Sequence, residues 1–164
     1  MEELARDREH AYHSTLSQMR LDHPATLRKQ LRAYLGEQAD HDILARTYDD
    51  VPRLETNGEL NELVCDEVEF RSDSKLEFRI QMEKEQRGWS VRRFRFHLRF
   101  AGRPIGMVRI HLNEERDHEP LRVPRCHLHV DSSEPHIPFP IMDPRLILHL
   151  ICERIEPHIG LPES

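Results

Sequence analysis

Residues 88–113 read GWSVRRFRFHLRFAGRPIGMVRIHLN, and their alternation decides the fold class. Phe94, Phe96, Leu98 and Phe100 fall on one parity, with Arg93, Arg95, His97 and Arg99 on the other. A period of two marks a strand with one buried face. Ala101-Gly102-Arg103-Pro104 supplies a hairpin loop. Val108, Ile110 and Leu112 then resume the alternation against Met107, Arg109 and His111. The stretch holds six arginines and no aspartate or glutamate, in a chain whose net charge is −6. A basic strip on an acidic body is the charge pattern to explain.

The same period extends to either side. Upstream, Leu76, Phe78, Ile80 and Met82 alternate with Glu77, Arg79 and Gln81, and Arg87-Gly88 turns that strand into the next. Downstream, residues 113–123 are polar and loop-like, after which Cys126, Leu128 and Val130 alternate with His127 and His129 in a short strand. Pro135, Pro138 and Pro140 hold an extended loop. Asp143-Pro144 is a helix cap followed by proline at the first helical position. The helix it starts covers 146–156, with Ile147, Leu150, Ile151 and Ile155 inward, and Pro157 and Gly160 end it.

The front half changes period. Leu4, Arg8, Ala11, Tyr12, Thr15, Leu16 and Met19 recur at three- and four-residue steps, predicting a helix over roughly 2–20. Asp22 and Pro24 start a second helix with Leu27, Leu31, Tyr34 and Leu35 on its face, and Gly36 closes it. Asp40 opens a third with Ile43, Leu44 and Tyr48. Asn57-Gly58 is a turn, and residues 59–65 are predicted as a short helix. The expectation is a single α+β domain over 1–164, with a helical N-terminal half (1–65) and a largely antiparallel sheet of about four strands (75–130). A C-terminal helix over 143–157 closes it.

Bulk properties narrow the setting. With 37% hydrophobic and 33% charged residues over 164 positions, a thin core and a heavily charged surface are expected. The opening MEELARDREH is acidic and lacks the apolar core of a signal peptide. The longest apolar stretch, 146–152, is short and broken by His149, so no membrane span is expected. Cys65, Cys126 and Cys152 are odd in number and widely spaced. They read as reduced, buried thiols of a cytoplasmic protein, although one pair could still bridge. The negative net charge excludes a general nucleic-acid coat protein.

Strand parity places the chemistry. If the three strands are neighbours, Arg95, His97, Arg99, Arg109, His111, His127 and His129 share one face. Arginine gives permanently charged, bidentate donors to phosphate. Histidine serves as base or acid near neutral pH. Metal-free RNA cleavage needs a base, an acid and a cation. His127 and His129 are then the catalytic pair, His97 and His111 its reserves, and Arg95, Arg99 and Arg109 the phosphate ligands. An antiparallel sheet with one wet face has the same pattern without any of this chemistry.

His127-x-His129 is also a chelate, because i and i+2 project to one side of a strand. Glu134 completes such a set, with His136 or Asp131 as other third ligands. With twelve histidines in the chain, one His-x-His pair carries little weight alone. Arg8 and His13 match an Arg-x4-His ribonuclease spacing at the wrong end of the chain, and Asp73-Ser74-Lys75 is a D-x-K fragment without its acidic context. Phosphate-cradling glycine loops and nucleophile elbows are absent from the sequence. Cys126 sits on the core parity, against nucleophilic chemistry. Tyr12, Tyr34 and Tyr48 complete the core, or one helix docks a partner or a second copy of the chain.

The back half, in "RFHLRFAGRPIGMVRIH" (93–111), "PRCHLHV" (124–130) and "DPRLILHLICERI" (143–155), resembles the TumE-type toxin family of bacterial toxin–antitoxin pairs. The likeness covers residues 90–156 and lies in the order of elements and a few polar positions. That family has additional histidines where this chain has Arg125 and Cys126, and a tyrosine-rich strand that is missing here. The resemblance implies an RNA-targeting toxin neutralised by an antitoxin partner, with His127 and His129 at the matched positions. Three readings follow. The first is engagement, with or without cleavage, of RNA or another phosphate-bearing ligand, with no cofactor. The second is a non-enzymatic protein-interaction module, and the third a small metal-binding protein built on His127 and His129.

Overall fold

The computed structural model describes residues 21, 23–39, 52–113, 125–131 and 136–159. Among these, the hairpin read from 88–113 sits at the middle of one antiparallel sheet. Its strands are β1 (Arg53–Asn57), β2 (Leu60–Glu69), β3 (Lys75–Glu85), β4 (Gly88–Arg99), β5 (Met107–Leu112), β6 (Cys126–Val130) and β7 (Ile137–Pro138). They lie side by side in chain order, a meander of seven. Helix α1 (Pro24–Ala39) precedes the sheet. Helix α2 (Pro144–Leu150), a π-helical turn (Ile151–Ile155) and the short α3 (Glu156–Ile159) follow it.

This corrects the expectation of a helical N-terminal half over a sheet of about four strands. Residues 53–69 form two further strands, and the helix predicted over 59–65 is the body of β2. Leu60, Leu63 and Val64 mimic helical spacing because β2 does not alternate cleanly. Leu63, Val64 and Cys65 are buried in succession, and a β-bulge between Cys65 and Val68 shifts the register. Leu63 opposes Ile80, Cys65 opposes Phe78, and beyond the bulge Val68 opposes Leu76. Asn57-Gly58 is the expected turn, with Gly58 at φ 64°, a conformation glycine adopts without steric cost. The helices predicted over 2–20 and from Asp40 lie outside the described residues.

Two helix ends also differ from expectation. Helix α1 begins at Pro24 but runs through Gly36 to Ala39. At the C-terminus Asp143 caps as read, its side chain accepting from the Arg145 amide at 2.8 Å. Pro157 does not end that helix. It lies inside the helix, which continues without a break from the preceding turn to Ile159. The preceding turn widens to π geometry, the Glu156 amide donating to the Ile151 carbonyl. The proline segment near Pro138 forms a two-residue strand against His127 and Leu128.

Both helical segments cover one face of the sheet. Leu27, Leu31 and Leu35 of α1 and Ile147, Leu148, Ile151 and Cys152 join Phe78, Ile80, Phe94, Phe96, Leu98, Ile110 and Leu112 in one buried cluster. Tyr34 fastens the two helical segments together, donating to Glu153 Oε1 at 3.2 Å and packing on His149. A second bulge, between Gln81 and Met82, lets Val91 and Phe94 share this apolar face. Asp73, the aspartate of the D-x-K fragment, is a turn residue with φ 66°, its amide donating to the Phe70 carbonyl. All three cysteines are free and buried.

Candidate metal centre

The registers settle which strands are neighbours. One row across the sheet reads Glu77, His97, Arg109, His129, and the next reads Arg79, Arg95, His111, His127. Strands β4, β5 and β6 are adjacent, so the polar parities do meet on one face. That face is not simply wet. His127 and His129 are 2% and 4% exposed, more buried than Leu128 between them on the opposite parity.

The histidines touch one another. One ring nitrogen from each of His111, His127 and His129 lies within 4.8 Å of the others. Their ring centroids are 4.7 to 5.5 Å apart. His136, just before β7, packs on His129 at 4.4 Å and on His127 at 4.9 Å. On the β4 side, His97 Nε2 is 2.6 Å from His111 Nε2, and its Nδ1 is 3.0 Å from Glu77 Oε1.

That chain of contacts fixes tautomers. The Glu77 carboxylate only accepts, so His97 donates from Nδ1. Burial is the largest influence on His97 and holds its pKa below the ordinary 6.5 against the opposing pull of Glu77. A neutral His97 then has its lone pair on Nε2 and accepts from His111 Nε2–H. His111 is left with a lone pair on Nδ1. Burial, joined by the other histidines and Arg109, pushes the His111 pKa down to about 3. A neutral imidazole with one nitrogen free and the other held by a hydrogen bond is the form a metal ligand takes.

This has a consequence for the metal-free protein. The unfolded chain takes up a proton at His111 near pH 6.5, whereas the folded protein resists it down to about 3. Stability is therefore full above 6.5 and falls with pH toward 3, by up to about 1.4 kcal/mol per unit for such a group. Thermal melts in chelator between pH 7 and 4 are expected to show a progressive fall in Tm, shallower in His111→Gln. A parallel decline in both proteins would contradict the assignment.

The remaining predicted residues fall as follows. Arg95 is exposed on β4, beside Glu77 and Arg79. Arg99 is engaged with Glu67 Oε2 and Glu77 Oε2, both at 3.5 Å. Arg109 donates from Nη2 to the Asp131 carbonyl at 3.2 Å. Asp131, one of the alternative third ligands, spends Oδ1 on the Gly106 and Met107 amides at 2.6 and 3.1 Å. A side chain at Gly106 would meet that oxygen at 3.3 Å, which favours glycine there. Glu134 lies outside the described residues. Burial pushes the Cys65 and Cys126 thiols up to about 12, far from a nucleophile's range.

Glu77 was missed as a member of the site, although it shares the polar parity of its strand. His111 was read as a catalytic reserve rather than a ligand, because sequence spacing joins only His127 and His129.

Three imidazoles converging on a sheet suit zinc and other borderline divalent metals. Tetrahedral coordination at zinc–nitrogen distances of about 2.0–2.1 Å draws the nitrogens closer than they stand here, which rotations about the histidine side-chain bonds can supply. No protein-family model matches the chain, and no curated protein or solved structure matches it either. No described helix is long and apolar enough to cross a membrane.

Proposed function

We propose that this protein binds a zinc-like divalent metal through His111, His127 and His129. The observation that carries this reading is the convergence of three ring nitrogens within 4.8 Å on two paired strands, with two of the rings almost fully buried. Adjacent strands hold the donors rigidly, so little entropy remains to be lost on binding. Three neutral ligands leave the metal its full double charge and an open coordination position, the pattern of a catalytic rather than a structural site. His136 packs on two of the three rings. The Glu77–His97 pair orients His111 from behind.

Titration with Co2+ tests the reading. One equivalent is expected to give the intense visible bands of a four- or five-coordinate ion. No binding, or the weak spectrum of a fully hydrated ion, would contradict it. Glu77→Gln is expected to keep the stoichiometry but weaken metal affinity by up to about 10-fold, because Glu77 acts on the ligand His111 only through His97. Affinity equal to wild type in a competition titration would show that the chain does not tune the centre.

The metal-free RNA-cleavage reading draws on the arginines around the cluster. Its acid–base pair would be His127 and His129, whose burial favours a small ion over a polymer. Chelator separates the two. RNA cleavage that survives chelator and is lost in His127→Ala/His129→Ala would support acid–base chemistry on this face.

A further inference from the structure

A divalent ion held by three neutral imidazoles keeps its double charge and a position open to water or to an anion. Glu77 is committed to His97 and Arg99. Asp131 turns Oδ1 to the backbone amides of Gly106 and Met107. What the sheet places beside the histidines is instead a further cation. Arg109 lies on β5 directly between His97 and His129 in the register, and two residues before His111 on the same face. Cross-strand neighbours in such a sheet have Cβ atoms about 4.5–5.5 Å apart, which makes Arg109 a direct neighbour of His129, one of the three ligands.

The guanidinium is half-satisfied. Its Nη2 donates to the Asp131 carbonyl, a bond made available by the left-handed turn of Asp131 at φ 57°. Its Nε is buried and has no hydrogen-bond partner. A buried donor without a partner costs about 1–3 kcal/mol, and a bound ion or ligand is one of the ways native structures complete such a group. The Nε–H therefore offers one charge-assisted donor to an oxyanion oxygen while Nη2 stays with the Asp131 carbonyl.

We infer that the open position of the metal takes a small oxyanion, one oxygen on the ion and another on Arg109. This inference rests on the metal reading above. Either a phosphate or a carboxylate has this chemistry. The two differ in having a further oxygen to offer or none. The centre is thereby assigned to ligands carrying such a group, and Arg109 is the residue that selects them.

The test uses the Co2+-loaded full chain, titrated separately with inorganic phosphate and with acetate while the visible spectrum is followed. Saturable change with at least one anion is expected in the wild type. Arg109→Gln is expected to raise the apparent Kd at least tenfold while still binding one equivalent of Co2+. Arg109→Lys keeps the charge without the Nε donor and is expected to fall between, and it serves as the reading if Arg109→Gln fails to fold. Arg87→Gln, in the exposed turn ten residues before His97, is expected to match wild type. A response to phosphate alone identifies a tetrahedral oxyanion, and a response to both identifies the shared carboxylate-like grip. Co2+ binding with no response to either anion, or with the same response in both Arg109 variants, overturns the inference and leaves the metal reading standing. Failure to bind Co2+ in the wild type overturns both.

Discussion

His127→Ala/His129→Ala is expected to lose zinc affinity by at least about 1,000-fold, roughly 4 kcal/mol. Removing two of three ligands leaves His111 alone on the sheet, and a single imidazole competes poorly with water for the ion. The loss is expected to show in stability as well. Ligand at about 1,000 times its Kd stabilises a fold by about 4 kcal/mol. For a protein of this size that raises Tm by about 10 °C. The wild type is expected to show this rise on adding zinc, and the double variant none. The readout is paired: calorimetric titration for affinity and thermal melts with and without zinc for linkage. Equal affinity in the two proteins would remove His127 and His129 from the site. Because both side chains are buried, near-UV circular dichroism is needed to show that the variant remains folded.

Phe96→Ala is expected to cost about 3–5 kcal/mol, a large part of the 5–15 kcal/mol that holds a typical domain together. Phe96 is 1% exposed at the middle of β4. Its ring stacks on Phe78 at 5.2 Å and meets Phe94 edge-on at 5.8 Å, and across the next strand it opposes Ile110. Truncation removes the apolar burial and opens a cavity that neighbours on three strands cannot all close. Urea melts are expected to show a lower midpoint. His97 is the next residue, so a displaced β4 is also expected to loosen the metal chain. Arg93→Ala, three residues away on the exposed face, is expected to change stability by no more than about 0.5 kcal/mol. A loss below about 1 kcal/mol for Phe96→Ala would mean that the two faces of the sheet have been assigned wrongly.

The parts of this architecture that were legible are those with an unbroken period. Phe94, Phe96 and Leu98 set β4, with Phe100 just beyond its end, and Val108, Ile110 and Leu112 set β5, because every second residue is apolar. Strand β2 was read as a helix for a physical reason. Its bulge between Cys65 and Val68 breaks the period, and its run Leu63-Val64-Cys65 is buried in succession. Local spacing cannot reveal a bulge that exists only in pairing with β3. The C-terminal helix was legible from Asp143 and Pro144 and was read through residue 156, but the π geometry of Ile151–Ile155 was not, nor was the continuation past Pro157, which reads locally as a stop.

The site divides in the same way. Parity put His97, His111, His127 and His129 on the polar sides of their strands, and a shared face followed only on the condition that those strands are neighbours. The choice among chemistries needed the registers. Only pairing of β5 with β6 sets His111 opposite His127, and only β3 beside β4 brings Glu77 to His97. His-x-His spacing found two ligands, while the third lies sixteen residues earlier on the neighbouring strand. The burial of His127 and His129 also ran against parity logic, which assigns the polar side of a strand to water.

The measurement that bears most directly on the metal centre is a nitrogen-detected proton correlation spectrum of the histidine rings in 15N-labelled protein, recorded before and after one equivalent of zinc. The expected result is a coordination shift at one ring nitrogen each of His111, His127 and His129, with Nδ1 the affected atom in His111 and its Nε2–H retained toward His97. Unchanged resonances for those three rings would contradict the account, as would zinc-induced shifts confined to histidines elsewhere in the chain.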